Sequence, residues 1–340
     1  LKYFLLTGIF FILLIFNSGN LNAAYNIGNE GCKPEIIFDE TGNNLHCSFY
    51  RHWGTKGVYY KKNIDGVWGG EMTLADSVGS PKHPSIAVRG NKVAIVYVAD
   101  SGNDIRIRIS TNAGLSFLPE ETIDDGQSSP YKWQSLPDVT IDSSGYVHVV
   151  WSVRDDSNSF WRILYRYRTT SWQAVTTVDN YSMVLKKPSI CVDPEDNIHI
   201  AYDRRSWSGA GYKYIGYRQK LSSGIWSAAE TVWSEAGAND WNNLMAPDIG
   251  IISGYLHIVW QTGGANPDLV NSVSQILYSR KTNQTGSTWS SQVTIGTGYV
   301  PCLSGYKDRI KVIWYDANPN KQVKSRLSQN KGAVFESPVI

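Results

Sequence analysis

The stretch LPDVTIDSSGYVHVVW, Leu136 to Trp151, carries the pattern that the rest of the chain repeats. It reads as a short apolar strand led in by Pro137, a turn over Asp142 to Gly145, and a second strand alternating from Tyr146 to Trp151. The phrase returns as HPSIAVRGNKVAIVY (His83–Tyr97), KPSICVDPEDNIHIAY (Lys187–Tyr202), APDIGIISGYLHIVW (Ala246–Trp260) and VPCLSGYKDRIKVIW (Val300–Trp314). A looser copy, KPEIIFDETGNNLHCSF, covers Lys33–Phe49. The leading prolines are Pro34, Pro84, Pro137, Pro188, Pro247 and Pro301, separated by 50, 53, 51, 59 and 54 residues. A period this long and regular marks a repeat architecture.

Each period holds a second strand pair. In the second copy DIRIRIS (Asp104–Ser110) leads through a turn toward a strand beginning at Phe117, and the other copies carry GVYYKK, RILYRYR, YIGYRQK, QILYSRK and QVKSRLS at the same place. No segment shows helical periodicity. Four antiparallel strands in about 50 residues cannot bury both faces alone, so the copies must stack, and a ring of blades suits units of this size better than a solenoid. The fold expected is all-β, a six-bladed β-propeller of four-stranded antiparallel blades. Blades are expected at about 33–79, 80–129, 130–183, 184–240, 241–298 and 299–340, forming one domain over 25–340.

Recurring residues are assigned to this framework. Phe49, Tyr97, Trp151, Tyr202, Trp260 and Trp314 end the second strands, and Trp68, Phe117, Trp172, Trp226, Trp289 and Phe335 open the fourth. Aromatics at one place in every copy read as blade-to-blade packing, each stabilising by about 1.5–3 kcal/mol when buried. His46, His148, His199 and His257 invite a metal-site reading, but they share one repeat position, filled by Ala94 and Lys311 in the other copies. A residue repeated around a ring faces its own blade, so no metal and no cofactor is expected. DPEDN, Asp193–Asn197, reads as a hairpin turn.

The 340 residues are 42% hydrophobic and carry a net charge of +2, which excludes disorder and the basic footprint of a nucleic-acid binder. Residues 1–24 read as a secretory signal peptide: Lys2, an apolar run to Phe16, and small residues ending at Ala23 and Ala24. The run is shorter than the ~20 residues a spanning helix needs, so export without membrane insertion is expected, to a periplasmic, extracellular or cell-surface location. Export permits disulfides among Cys32, Cys47, Cys191 and Cys302, in any of three connectivities, although Cys191 and Cys302 sit at equivalent early-strand positions and read as small buried hydrophobes.

The turn Ser110-Thr111-Asn112-Ala113-Gly114-Leu115-Ser116-Phe117 resembles the Asp-box, Ser-x-Asp-x-Gly-x-Thr-Trp, of the sialidase-like propeller superfamily that carries the bacterial neuraminidase repeat. Asn112 replaces the aspartate, and Gly286-Ser287-Thr288-Trp289 keeps only the tail of a box. The resemblance implies the propeller architecture over the mature chain. It does not bring a complete sialidase set: the place of the first arginine reads Cys32 to Ile37, and Val300 stands where the nucleophilic tyrosine would be, with Tyr299 one residue early. The assisting glutamate has no clear counterpart, although Glu235 lies in a long connection.

Candidate binding residues fall in the irregular connections that leave second strands and enter first strands, where a rigid scaffold carries variable loops. Arg51, His52 and Trp53, Trp133, Arg204, Arg205 and Trp207, and Asp240 and Trp241 place indole beside planar polar groups, which suits a sugar ring. Arg51, Arg154, Arg204 and Arg205 follow second strands and are expected to favour an anionic ligand such as a uronate, sialate or sulfate around a central opening. Asp100, Asp203, Asp240, Asp268 and Asp316 are available as hydrolytic carboxylates, and His83 or His52 as the base of a lyase. The expected partner is a glycan or polysaccharide, bound rather than cleaved; a glycoside hydrolase or polysaccharide lyase and a protein-interaction scaffold are the alternatives.

Overall fold

The structure, a computed structural model, describes residues 31–51, 56–76, 82–99, 104–123, 132–155, 160–181, 184–205, 212–236, 245–262, 274–283, 286–316 and 322–340. Every regular element among them is a β-strand, and the strands form six antiparallel sheets, one per sequence copy, in a six-bladed β-propeller. Within each sheet the strands lie in chain order, and the first strands of successive blades lie side by side around the axis. These first strands are Gly31–Phe38, Lys82–Arg89, Lys132–Ile141, Val184–Val192, Asp248–Ile252 and Tyr299–Tyr306. Blade 1 splits its fourth strand into Val67–Trp68 and Met72–Ala75, both on the third strand Gly57–Ile64. In blade 6 the outermost position is a single bridge, Ser325 to Val339.

Among the described residues each blade is contiguous in sequence, and blades 1 and 6 meet by packing. Ile36, Cys47, Phe49 and Tyr59 of blade 1 form one core with Cys302 and Ile313 of blade 6. The other joints are built the same way, and each second-strand aromatic sits in a core shared with the preceding blade: Tyr97 with Val58 and Tyr60, Trp151 with Val96 and Ile107, Tyr202 with Val150 and Tyr165, Trp260 with Ala201 and Tyr217, Trp314 with Ile276 and Tyr278. Of the aromatics expected to open fourth strands, Trp68 lies in the short strand Val67–Trp68, Trp172 and Trp226 form single bridges to the third strand, and Phe117, Trp289 and Phe335 lie in irregular backbone. Phe117, Trp226, Trp289 and Phe335 meet Tyr60, Tyr165, Tyr217 and Tyr278 edge-on at centroid distances of 5.0, 5.3, 5.2 and 4.8 Å. Trp172 and Trp289 also donate to Glu121 Oε2 and Glu230 Oε2 of the preceding blade at 2.8 and 3.0 Å.

The four histidines each face a tyrosine of their own blade. Nδ1 of His46, His148, His199 and His257 lies 2.7, 2.6, 2.8 and 2.6 Å from the hydroxyls of Tyr60, Tyr165, Tyr217 and Tyr278. The other nitrogen of His148 and His199 reaches Asp142 and Asp193, in the turn between first and second strands, at 3.0 and 3.1 Å, whereas His257 reaches the Ile252 carbonyl. Asp193 also accepts the Asn197 N–H, which closes the DPEDN hairpin. Among the described residues no group of three or more His, Cys, Asp or Glu is arranged to hold a metal. Cys47 and Cys191 are free thiols, and burial pushes both up, while Cys302 is buried in the joint of blades 1 and 6.

The leading prolines do more than start strands. Ahead of five of them, His83, Leu136, Lys187, Ala246 and Val300 take φ of 55, 51, 38, 46 and 49°. A residue before proline ordinarily stays extended, so this left-handed step is strained, most of all at β-branched Val300. It creates a bulge, seen as register breaks at Lys82/Ser85, Ser135/Asp138, Lys186/Ser189 and Tyr299/Cys302, which re-aims the residue after the proline. Those residues are Glu35, Ser85, Asp138, Ser189, Asp248 and Cys302, so buried carboxylates alternate with small hydroxyl or thiol groups around the axis. Glu35 accepts Ile86 N–H at 2.8 Å, Asp138 accepts the Ser85 hydroxyl at 2.6 Å and Ile190 N–H at 2.9 Å, and Asp248 accepts the Ser189 hydroxyl at 3.2 Å and Leu303 N–H at 2.8 Å. The result is an inner belt in which acids on blades 1, 3 and 5 tie to their neighbours.

Candidate functional site

Antiparallel order puts the turns between first and second strands, and between third and fourth, on one face of the ring. The connections from second to third strands, and from each blade to the next, occupy the other. On that connection face, guanidinium groups are laid on third-strand rings. Arg51 Cζ lies 4.5 Å from the Tyr59 ring centre while its Nη2 donates to Glu71 Oε2 at 2.7 Å. Arg154 lies 6.0 Å from Trp161, and Arg204 5.7 Å from Tyr214. The third strand is the next one out from the axis, so these side chains lean along their blades onto the rings. A ring beneath a guanidinium fixes its plane and lowers the entropy lost when it binds.

Arg205 is turned the other way. It is buried, with Nη2 on Asp203 Oδ2 at 2.5 Å, and the same oxygen accepts the Met245 N–H of blade 5 at 3.2 Å. Its charge is neutralised inside the joint between blades 4 and 5. At the following joint Gln261 has a comparable role, accepting the Val300 N–H at its bulge, and Asp316 pairs with Lys324. Below Arg204, burial with Asp179 alongside pushes the Tyr202 phenol up, so it stays protonated.

His83 occupies the left-handed bulge of blade 2, half-buried, with its ring 6.3 Å from that of Tyr50 on blade 1. Trp133 lies in the first strand of blade 3, with its backbone opposite Arg154. His52, Trp53, Trp207, Asp240 and Trp241 lie outside the described residues, as do Asp100 and Asp268. Tyr299 is buried, on the far side of the bulge from Cys302. Two tryptophans that do not repeat in sequence are packing after all: Trp161 is buried among Ile163 and Ile190, and Trp233 lies 6.1 Å from the Trp260 ring.

Sequence reasoning missed Tyr212 and Tyr214, which need strand registers to be placed. It also missed a second turn like that of Ser110–Phe117. In Ser328–Phe335 the Ser328 hydroxyl donates to Asn330 Oδ1 at 2.8 Å and accepts Gly332 N–H at 3.0 Å; Ser110 does the same with Asn112 and Gly114 at 2.8 and 2.9 Å. A Cβ on Gly114 or Gly332, both at positive φ, would fall 2.0 or 1.7 Å from the Tyr60 or Tyr278 hydroxyl, which explains the glycine. The shared Ser-x-Asn-x-Gly was legible at both places.

No family model matches the chain, and neither does any curated protein sequence. Solved structures do match in fold. An α-L-arabinanase from Penicillium chrysogenum complexed with arabinobiose aligns with TM-score 0.58 at 12% identity, covering 96% of this chain and 99% of that one. An ulvan lyase, a polysaccharide lyase, gives 0.55 at 11% identity over 90% and 82%. A Hadza microbial sialidase gives 0.53 at 11% identity over 84% and 63%. Identities this low establish common architecture alone.

Proposed function

We propose that the protein is a glycan-recognising β-propeller whose connection face binds the sugar chain. The observation that carries this is the pair Arg51 and Arg204, at one repeat position on that face, each with its guanidinium over a third-strand ring: Arg204 over the half-buried Tyr214 and Arg51 over Tyr59, whose ring is buried in the joint with blade 6. Oriented N–H forks suit the hydroxyls and carboxylates of sugars, and connections of variable length on a rigid ring are where recognition is commonly built. Neighbours of the same fold act on glycans, among them the arabinanase, the ulvan lyase and the sialidase, which supports the reading. We read the Ser110–Phe117 and Ser328–Phe335 turns as Asp-box variants of the sialidase-like superfamily, and residues 1–24 as a leader for export.

A second reading is cleavage, favoured by the His83–Tyr50 pair, an imidazole beside a phenol at the start of a first strand. In a uronate chain His83 would take the proton beside the carboxylate while Tyr50 protonates the departing oxygen, leaving a carbon–carbon double bond in the ring. A glycan array followed by product analysis on the bound glycans separates the readings. Retention without new products supports recognition, unsaturated products support the lyase, and binding to no glycan with recovery of a stable protein complex replaces both with a scaffold.

A further inference from the structure

Blade 4 carries an aromatic pair that joins none of the hydrophobic cores among the described residues. Tyr212 heads the third strand, Tyr212–Lys220, on the connection face and is 50% exposed. Its ring lies 5.8 Å from Tyr214 at an interplanar angle of 33°, and Arg204, on the adjoining second strand, lies over Tyr214. Aromatics that hold this ring together recur and are buried; this group does neither. Strand registers align Tyr214 with Gly57, Asp104, Arg162, Gln275 and Gln322 in the other blades, none of them aromatic. Tyr146, in a turn, and Tyr306, at the end of a first strand, are also exposed but lie on the opposite face.

The strand that carries these rings is anchored from its other side. Lys213, between them and pointing oppositely, lies 3.8 Å from Glu235 and donates to the Thr262 carbonyl of blade 5 at 3.3 Å. The two phenol faces are therefore held in place while one of them meets solvent. A rigid exposed ring with a second ring beside it and an oriented guanidinium at its edge matches the amphipathic shape of a sugar, which has an apolar C–H face and a polar rim.

We propose that Tyr212, Tyr214 and Arg204 form a sugar subsite: one ring of a glycan stacks on the tyrosines while its hydroxyl or carboxylate oxygens accept from Arg204. The subsite rests on the glycan reading and adds its location and contacts. The test is calorimetric titration of the full chain with arabinohexaose, a neutral probe, and hexagalacturonate, an acidic one. Tyr212→Ala weakens binding about tenfold with an unchanged melting temperature, while Tyr212→Phe, which keeps the ring, stays within about twofold. Arg204→Ala weakens the acidic probe more than the neutral one. If Tyr212→Ala binds like the unaltered protein while Trp207→Ala or Trp241→Ala does not, the glycan reading stands and this subsite is wrong. If the unaltered protein binds neither hexasaccharide, this subsite is overturned, while the glycan array decides the reading on which it rests.

Discussion

On the turn face, one histidine–tyrosine bond recurs in four blades and one serine–asparagine turn in two. On the connection face, the position two residues beyond the second-strand aromatic reads Arg51, Ala99, Val153, Arg204, Thr262 and Asp316. The two faces are made by the same copies, yet one reuses the same bonded groups in several blades and the other varies more from blade to blade. Every joint must meet the same geometric demand, so residues that meet it are reused; a ligand approaches the ring once, so its contacts need not be. Repetition therefore separates supporting residues from binding residues, and changes on the turn face should cost stability while those on the connection face should cost binding.

Acid should damage the turn face most. Burial holds the His46 and His257 imidazoles down to about 4, with Lys62 and Arg280 nearby opposing protonation as well. The unfolded chain then takes up protons first, near the ordinary imidazole pKa of about 6.5. The stability contributed by these neutral rings is complete above that pH and is lost as pH falls from about 6.5 toward 4, at up to about 3 kcal/mol for each. Denaturant midpoints measured across that window give the slope. Replacing both histidines by alanine, the residue at this position in blade 2, should lower stability at neutral pH and flatten the slope; an unaltered slope would assign it elsewhere.

A single joint comes next. Trp151→Ala empties a fully buried site between blades 2 and 3, at about 3–5 kcal/mol by denaturant unfolding. A loss of under about 1 kcal/mol would mean that the joint repacks. At the inner belt the effect is smaller. Asp138→Asn keeps the shape but leaves one backbone donor, Val139 N–H or Ile190 N–H, facing an amide N–H, at about 1–3 kcal/mol, whereas the Ser85 hydroxyl can turn to accept.

The belt also shows what the sequence could and could not disclose. Strand pairs, blade number and joint aromatics follow from period and alternation, which are local properties, and they were legible from Leu136–Trp151 outward. The alternation Glu35, Ser85, Asp138, Ser189, Asp248, Cys302 was in plain view beside the prolines, but its meaning depends on the left-handed bulge, and a residue before proline gives no reason to expect one. On the connection face the limit is different. Arg204 and Arg205 are adjacent and chemically identical, yet one rests on Tyr214 and the other is buried with Asp203. Strand alternation sends them to opposite sides, and only the cross-strand register says which side is open.

The smallest stability effect is expected at Arg51, where the comparison is sharpest. Its ion pair with Glu71 is partly exposed, at 21% and 26%, and solvent screening limits such a pair to less than about 1 kcal/mol. Arg51→Ala should therefore leave the denaturant midpoint nearly unmoved. Arg51→Lys keeps the charge but loses the planar fork that rests on Tyr59. If the connection face recognises sugars through oriented guanidiniums, both variants lose affinity for the acidic hexasaccharide at constant stability. If only the alanine variant does, charge alone matters at this blade, and the ring beneath Arg51 belongs with the supporting residues.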